Sequence, residues 1–142
     1  MRIAIASDHA GFRYKEAIKD FLVRKGYEVR DFGTYSEEST DYPVFVRPAA
    51  EAVASGTCAQ GIVLGGSGNG EAMVANRVHG IRCAVCWDER SARLAREHNN
   101  ANMIALGQRM MPQKMAFKIV ETWLSAEFQG GRHQRRIDQI EG

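Results

Sequence analysis

The sequence predicts an α/β protein whose parallel sheet is covered by helices on both faces. Three observations carry that prediction. Short apolar runs of strand length alternate with segments of helical period from one end of the chain to the other. No repeat, linker or low-complexity stretch interrupts the alternation, so residues 1–142 read as one domain. An apolar run also passes straight into a glycine-rich loop and then a helix, in "GIVLGGSGNGEAMVAN" (Gly61 to Asn76). Strands that alternate with helices are joined by right-handed crossovers, which makes the sheet parallel.

In chain order, "RIAIAS" (Arg2 to Ser7) is the first strand. "FRYKEAIKDFLVRKG" follows as a helix, with Tyr14, Ala17, Ile18, Phe21 and Leu22 on one face and Gly26 placed to end it. "YEVRDF" is a second strand. The polar loop "GTYSEESTDYP" leads to "VFVRPAAEAVASG", a helix stopped at Gly56, in which Pro48 either introduces a kink or marks the true first turn. "QGIVLG", "GIRCAVCW" and "NMIALG" are three further strands. "EAMVANRV", "DERSARLAREH" and "PQKMAFKIVETWLSAEF" are the helices between and after them. The last carries a buried stripe of Met115, Ala116, Ile119, Val120, Trp123 and Leu124. A helical tail is expected over about 130–142.

Bulk properties exclude several classes. A chain of 142 residues can bury roughly 70% of its unfolded surface without metals or disulfides. A net charge of +2 does not suggest nucleic acid or an anionic membrane as partner. No apolar run approaches the ~20 residues of a membrane span. "MRIAIASDHAG" turns polar too soon for a signal peptide, so a cytoplasmic protein is expected. The three cysteines are an odd count and argue against a disulfide framework. Cys83 and Cys86 form a C-x-x-C within a strand, where the two side chains point to opposite faces, so packing is the expected role of both.

In parallel sheets ligands bind beyond the carboxyl ends of the strands. Those ends are followed by Asp8-His9, Asp41-Tyr42, the glycine loop, Asp88 and Gly107-Gln108-Arg109. Gly65 to Gly70 has the spacing of a P-loop, but Glu71 and Ala72 stand where Lys and Ser/Thr belong. The dinucleotide fingerprint fails too, because Glu71 occupies its third glycine position. What remains is a set of backbone N–H groups at a helix N-terminus, suited to an anion, including one formed only during a reaction. Glu71 sits in the first helical turn, where the helix dipole favours its ionised form. A carboxylate base beside such donors can remove a proton α to a carbonyl, with Ser67 adding a hydroxyl donor or relay. The alternative is that Glu71 only complements the dipole and the glycines only make a turn.

Asp8 and His9 can be a cap and a loop hydrogen bond, or site residues. His98 closes its helix on the line of Leu94 and Ala95, where it can complement the dipole or act chemically. His79 reads as a turn residue. Arg132 and Arg136 share a helical face at i, i+4 and could clamp a phosphate, or could simply face solvent. Nucleic-acid binding is not expected, because the basic patch is short and lacks interleaved aromatics. No H-x-x-x-H or H-E-x-x-H spacing points to a metal, and no cofactor is expected. Of the two routes for sugar isomerisation, hydride shift with metal and enediol without it, these residues suit the second.

Taken together, "SDHAGF", "TDYP", "GGSGNGE", "AREHNNAN", "ALGQR" and "GGRHQRRI" resemble the type B ribose-5-phosphate isomerase family, which includes allose- and galactose-6-phosphate isomerases. The resemblance covers essentially the whole chain. It implies a three-layer α/β/α sandwich on a Rossmann-like, five-stranded parallel sheet, and aldose–ketose isomerisation. It implies Glu71 as the base moving a proton between C1 and C2, with Gly66, Ser67, Gly68, Asn69 and Gly70 holding the enediolate. His98 with Asp8 would open the furanose ring and Asn99 would contact the sugar. His9, Arg109, Arg132 and Arg136 would bind the phosphate, and Tyr42 would line the site. The site would form at a homodimer interface, with His98, Asn99 and Arg109 coming from the partner chain; dimers could pair into tetramers. A branch of the family uses a cysteine base at the position of Gly65, so this chain resembles the glutamate branch. The same chemistry on another phosphorylated sugar, from tetrose to hexose, and a non-catalytic sugar-phosphate-binding module are the alternative readings.

Overall fold

The computed structural model describes residues 1–142. Five parallel strands, β1 (Arg2–Ser7), β2 (Glu28–Asp31), β3 (Gln60–Gly65), β4 (Cys83–Val85) and β5 (Met103–Gly107), lie in the order β2-β1-β3-β5-β4. Six helices accompany them: α1 (Phe12–Arg24), α2 (Pro43–Ala54), α3 (Asn69–Asn76), α4 (Glu89–Asn99), α5 (Gln113–Ser125) and α6 (Arg132–Glu141).

Alternation along the strands sorts the core into two layers. Ile3, Ile5, Ile62, Leu64, Ile104 and Leu106 face α1, α4 and α5. Ala4, Ala6, Val63, Met103 and Ala105 face α2 and α3, which return Ala49, Ala50, Ala72 and Ala75. Small side chains on both sides of that second layer let its helices lie close to the sheet. Cys83 packs against the α2/α3 layer and Cys86 sits in the other, as their spacing in a strand requires. Burial holds both thiols protonated, Cys86 being pushed up to about 12.

Two local expectations change. Helix α2 starts at Pro43, so Pro48 is inside the helix rather than in its first turn. Pro48 is tolerated because it is exposed: the N–H it lacks would have met the carbonyl of Val44, itself on the solvent side. In α1 the fully buried side chains are Lys15, Ile18 and Leu22, while Tyr14 and Phe21 pack only partly. Lys15 donates from Nζ to Asp31 at 2.6 Å and to Glu16 at 2.7 Å, and Lys19 joins the same two carboxylates. This network ties α1 to the end of β2, from which the loop to α2 departs.

Candidate active site

Strands β1, β3 and β5 are neighbours in register, with Ser7 opposite Leu64 and Gly65 opposite Gly107. The loops leaving their carboxyl ends therefore converge. They enclose a cleft of about 410 Å³ lined by Asp8, His9, Ala10, Tyr42, Gly66, Ser67, Gly70, Glu71, Arg109 and Met110.

Asp8 leaves β1 as an N-cap: one carboxylate oxygen, Oδ1, accepts from the N–H groups of Ala10 (2.9 Å) and Gly11 (3.2 Å). This fixes the side chain and leaves Oδ2 for the cleft. The Nδ1 of His9 accepts from the Thr40 N–H at 3.1 Å. The ring proton then belongs on Nε2, which makes His9 a hydrogen-bond donor toward the cleft.

The glycine loop turns through Gly68, whose φ of +89° a side chain would strain. Helix α3 then begins at Asn69, two residues before the expected start, and its first-turn N–H groups lack intrahelical acceptors. The Asn69 N–H donates to Ser67 Oγ at 3.2 Å, so that oxygen is an acceptor here and its own hydrogen is free to be donated. Asn69 is exposed and Gly68 buried, and neither lines the cleft. Gly70 is covered by the Tyr42 ring, which a β-carbon at that position would strike.

Glu71 is only 3% exposed and folds back against Gly65. A β-carbon at Gly65 would fall on the Glu71 carboxylate, so the inward carboxylate requires glycine there. Burial pushes the Glu71 carboxyl above its usual range and the charge of Asp8 adds to this. The N–H groups of Glu71 and Gly68 pull the other way without prevailing. The expectation that the helix dipole keeps Glu71 readily ionised is thus corrected: desolvation outweighs it. A raised carboxyl is better matched to accept a carbon-bound proton near neutral pH.

Arg109 corrects a second expectation. Its N–H donates to the Gly66 carbonyl at 3.1 Å and its guanidinium lies over Gly66, in the cleft of its own chain. The direct β3–β5 pairing brings it there. Asp88 leaves the list of strand-end candidates, because it forms a capping box with Ser91 at the start of α4.

The remaining residues lie elsewhere. Helices run opposite to the strands in a parallel sheet, so α4 descends from the cleft edge and delivers His98 and Asn99 to the opposite edge. Arg82, just before β4, binds the Asn99 and Asn100 carbonyls there. Helix α6 packs across the same edge on α4, bringing Arg132 and Arg136 with it, and the rings of His98 and His133 stack at 4.2 Å. The residues expected at a site therefore fall into two groups, one on each edge of the sheet. No group of three His, Cys, Asp or Glu side chains is arranged to hold a metal ion. No helix is long and apolar enough to cross a membrane.

Sequence reasoning did not find Thr40, which fixes the His9 tautomer through a backbone N–H, or Lys15, which the apolar face expected for its helix leaves out. His133 falls within the motif "GGRHQRRI" but has no role of its own there. None has a sequence signal of its own, because each acts through a tertiary contact.

The sequence profile of the Ribose/Galactose Isomerase family matches residues 3–140. The chain is 45% identical over 139 residues to ribose-5-phosphate isomerase B of Escherichia coli K12, covering 98% of this chain and 93% of that protein. It superimposes on the Clostridium thermocellum ribose-5-phosphate isomerase B structure with a TM-score of 0.98 at 54% identity, over 99% of this chain and 95% of the other. For the Mycoplasma genitalium enzyme with bound ribulose-5-phosphate the TM-score is 0.95 at 42% identity, over 99% and 93%. With its fold, its glycine loop and its full-length similarity in agreement, the chain belongs to the ribose/galactose isomerase family.

Proposed function

We propose that this protein is a cytoplasmic aldose–ketose isomerase that interconverts ribose 5-phosphate and ribulose 5-phosphate through an enediolate, with Glu71 as the base. The observation that carries the reading is the buried Glu71 carboxylate at the head of helix α3, set against the glycine loop in an anion-suited cleft. Full-length similarity to ribose-5-phosphate isomerases B supports the substrate.

Ring opening breaks the bond between C1 and the ring oxygen, taking a proton from the C1 hydroxyl and giving one to the ring oxygen. Asp8, held by its cap hydrogen bonds, and His98 share that work. Glu71 then removes the C2 proton of the open aldose. The charge that develops on O1 is met by the amides of the 66–70 loop and the Ser67 hydroxyl. Glu71 returns its proton to C1 while a proton passes from O2 to O1, which completes the ketose. The carboxylate and the enediolate are never charged together, because Glu71 is neutral when the enediolate exists.

The phosphate is held by His9 Nε2–H and Arg109 of one chain and by Arg132 and Arg136 of a second copy. A homodimer is inferred because His98, Asn99, Arg132 and Arg136 lie on the sheet edge away from their own cleft. A second copy would supply them.

NMR of ribose 5-phosphate in D₂O, with EDTA present, tests the reaction. Ribulose 5-phosphate carrying solvent deuterium at C1 is expected. Absence of conversion by the folded protein overturns the proposal. The family's breadth favours one second reading, the same chemistry on another phosphorylated sugar, which rapid turnover of a tetrose or hexose phosphate would establish.

A further inference from the structure

We propose that His133 is a positioning residue for His98: its ring lies flat against the His98 ring and fixes the plane in which that imidazole is offered to a sugar. This rests on the ring-opening role given to His98 above. The two centroids are 4.2 Å apart with the planes inclined by 12°, and His133 is only 7% exposed. The stack holds the His98 ring at the end of α4, the last turn before the chain reverses at Asn100 (φ 44°).

The register of α6 gives the contact its purpose. His133 and Ile137, four apart, are the two buried residues of this helix and dock it on the rest of the chain. Arg132 and Arg136 each immediately precede one of these anchors and share a face of their own. The seating of His133 on His98 therefore sets the orientation of the ring and of the arginine pair at once. Ring-opening group and phosphate clamp are joined as one unit, although they are distant in sequence. Burial, with the charges of His98, Arg132 and Arg136, holds His133 below the usual histidine range, so it stacks as a neutral ring. The charged groups facing it come from α4 (His98) and from α6 itself (Arg132, Arg136).

The test uses His133→Phe, which keeps a flat ring, and His133→Leu, which fills the space without one, alongside His133→Ala. Two rates are read: net conversion of ribose 5-phosphate, and exchange of the C1 hydrogen of ribulose 5-phosphate with D₂O. Ribulose 5-phosphate is acyclic, because its C5 oxygen carries the phosphate, so the exchange needs Glu71 but no ring opening. Leu and Ala variants are expected to lose about tenfold or more in kcat for conversion, the scale of a misplaced catalytic group. At saturating ribulose 5-phosphate, where a shifted arginine pair shows only in KM, their exchange should stay within about twofold, and the Phe variant should recover most of the conversion. Equal conversion by the Leu and Phe variants overturns the proposal, as does parallel loss of exchange and conversion. The Leu and Phe comparison decides the matter even where the Ala variant fails to fold. His98→Asn separates the two readings. If it converts normally, the ring-opening role fails; if it is impaired while His133→Leu is not, only the positioning role fails.

Discussion

Gly65→Ala is expected to disarm Glu71 without touching it. A β-carbon at Gly65 would overlap the Glu71 carboxyl group, which is fully packed on its inner side. Ordinary contact between carbon and a carboxylate oxygen requires more than 3 Å, so the carboxylate must retreat by about an ångström, and a displacement of that size costs a catalytic group about 100-fold. That is about 2.7 kcal/mol of transition-state stabilisation. The phosphate-binding groups are untouched, so KM should change little while kcat falls. Residue 65 ends a strand and has no positive φ, so alanine is compatible with the backbone. The assay is appearance of the ketose at saturating ribose 5-phosphate, with a thermal melt to check the fold. Because both substitutions act on the same carboxylate, Gly65→Ala combined with Glu71→Gln should be no slower than Glu71→Gln alone. A kcat within threefold of the parent, or full additivity in the double variant, would refute the close-approach argument.

Glu71→Gln itself should lower kcat by at least ~100-fold, the value of a general base. Its melting temperature at pH 7.5 should be no lower than the parent's. The native carboxyl is raised, so its stabilising contribution is complete only below the unfolded carboxyl range and is lost as pH rises through the native value. At neutral pH glutamine removes a buried charge; a clear drop in melting temperature there would contradict the burial reading. Lys15→Met leaves Asp31 with Lys19 and the Gly33 N–H as its partners and, by removing one charged hydrogen bond, should destabilise by about 2 kcal/mol in urea melts. Burial opposes the ionisation of Asp31, but hydrogen bonds from Lys15, the Gly33 N–H and Lys19 win and hold its carboxyl low. That stabilisation is present above the unfolded Asp range and fades as pH falls through the native value. The gap between variant and parent should therefore narrow in acid; a constant gap would deny the ion pair its role.

Much of the fold was legible because its signals are local. β1 and β3 match their apolar runs residue for residue, and α5 and α6 fall within their expected ranges. Errors arose where tertiary packing overrode pattern. Lys15 lies on the buried side of α1 because Asp31 and Glu16 wait for it, which no periodicity encodes. β4 is only Cys83–Val85: before it the Arg82 N–H is taken by the Asn102 side chain, and after it the Trp87 and Asp88 N–H groups turn to Ser91 Oγ at the start of α4. At the site, the glycines and Glu71 could be read as an anion cradle with a base from residue types alone. The raised carboxyl could not, because it depends on what covers Glu71. Neither could the location of Arg109, which follows from strand order.

The opposite courses of strand and helix have a genetic consequence. In the proposed dimer one polypeptide carries its base at one end of the sheet and its ring-opening histidine at the other, so damage to each is separable. Inactive Glu71→Gln and His98→Asn proteins, allowed to exchange subunits, would form hybrids in which one of the two sites draws only undamaged residues. Random pairing would return about a quarter of all sites to function. Two null alleles of this gene, expressed in one cell, could therefore complement each other.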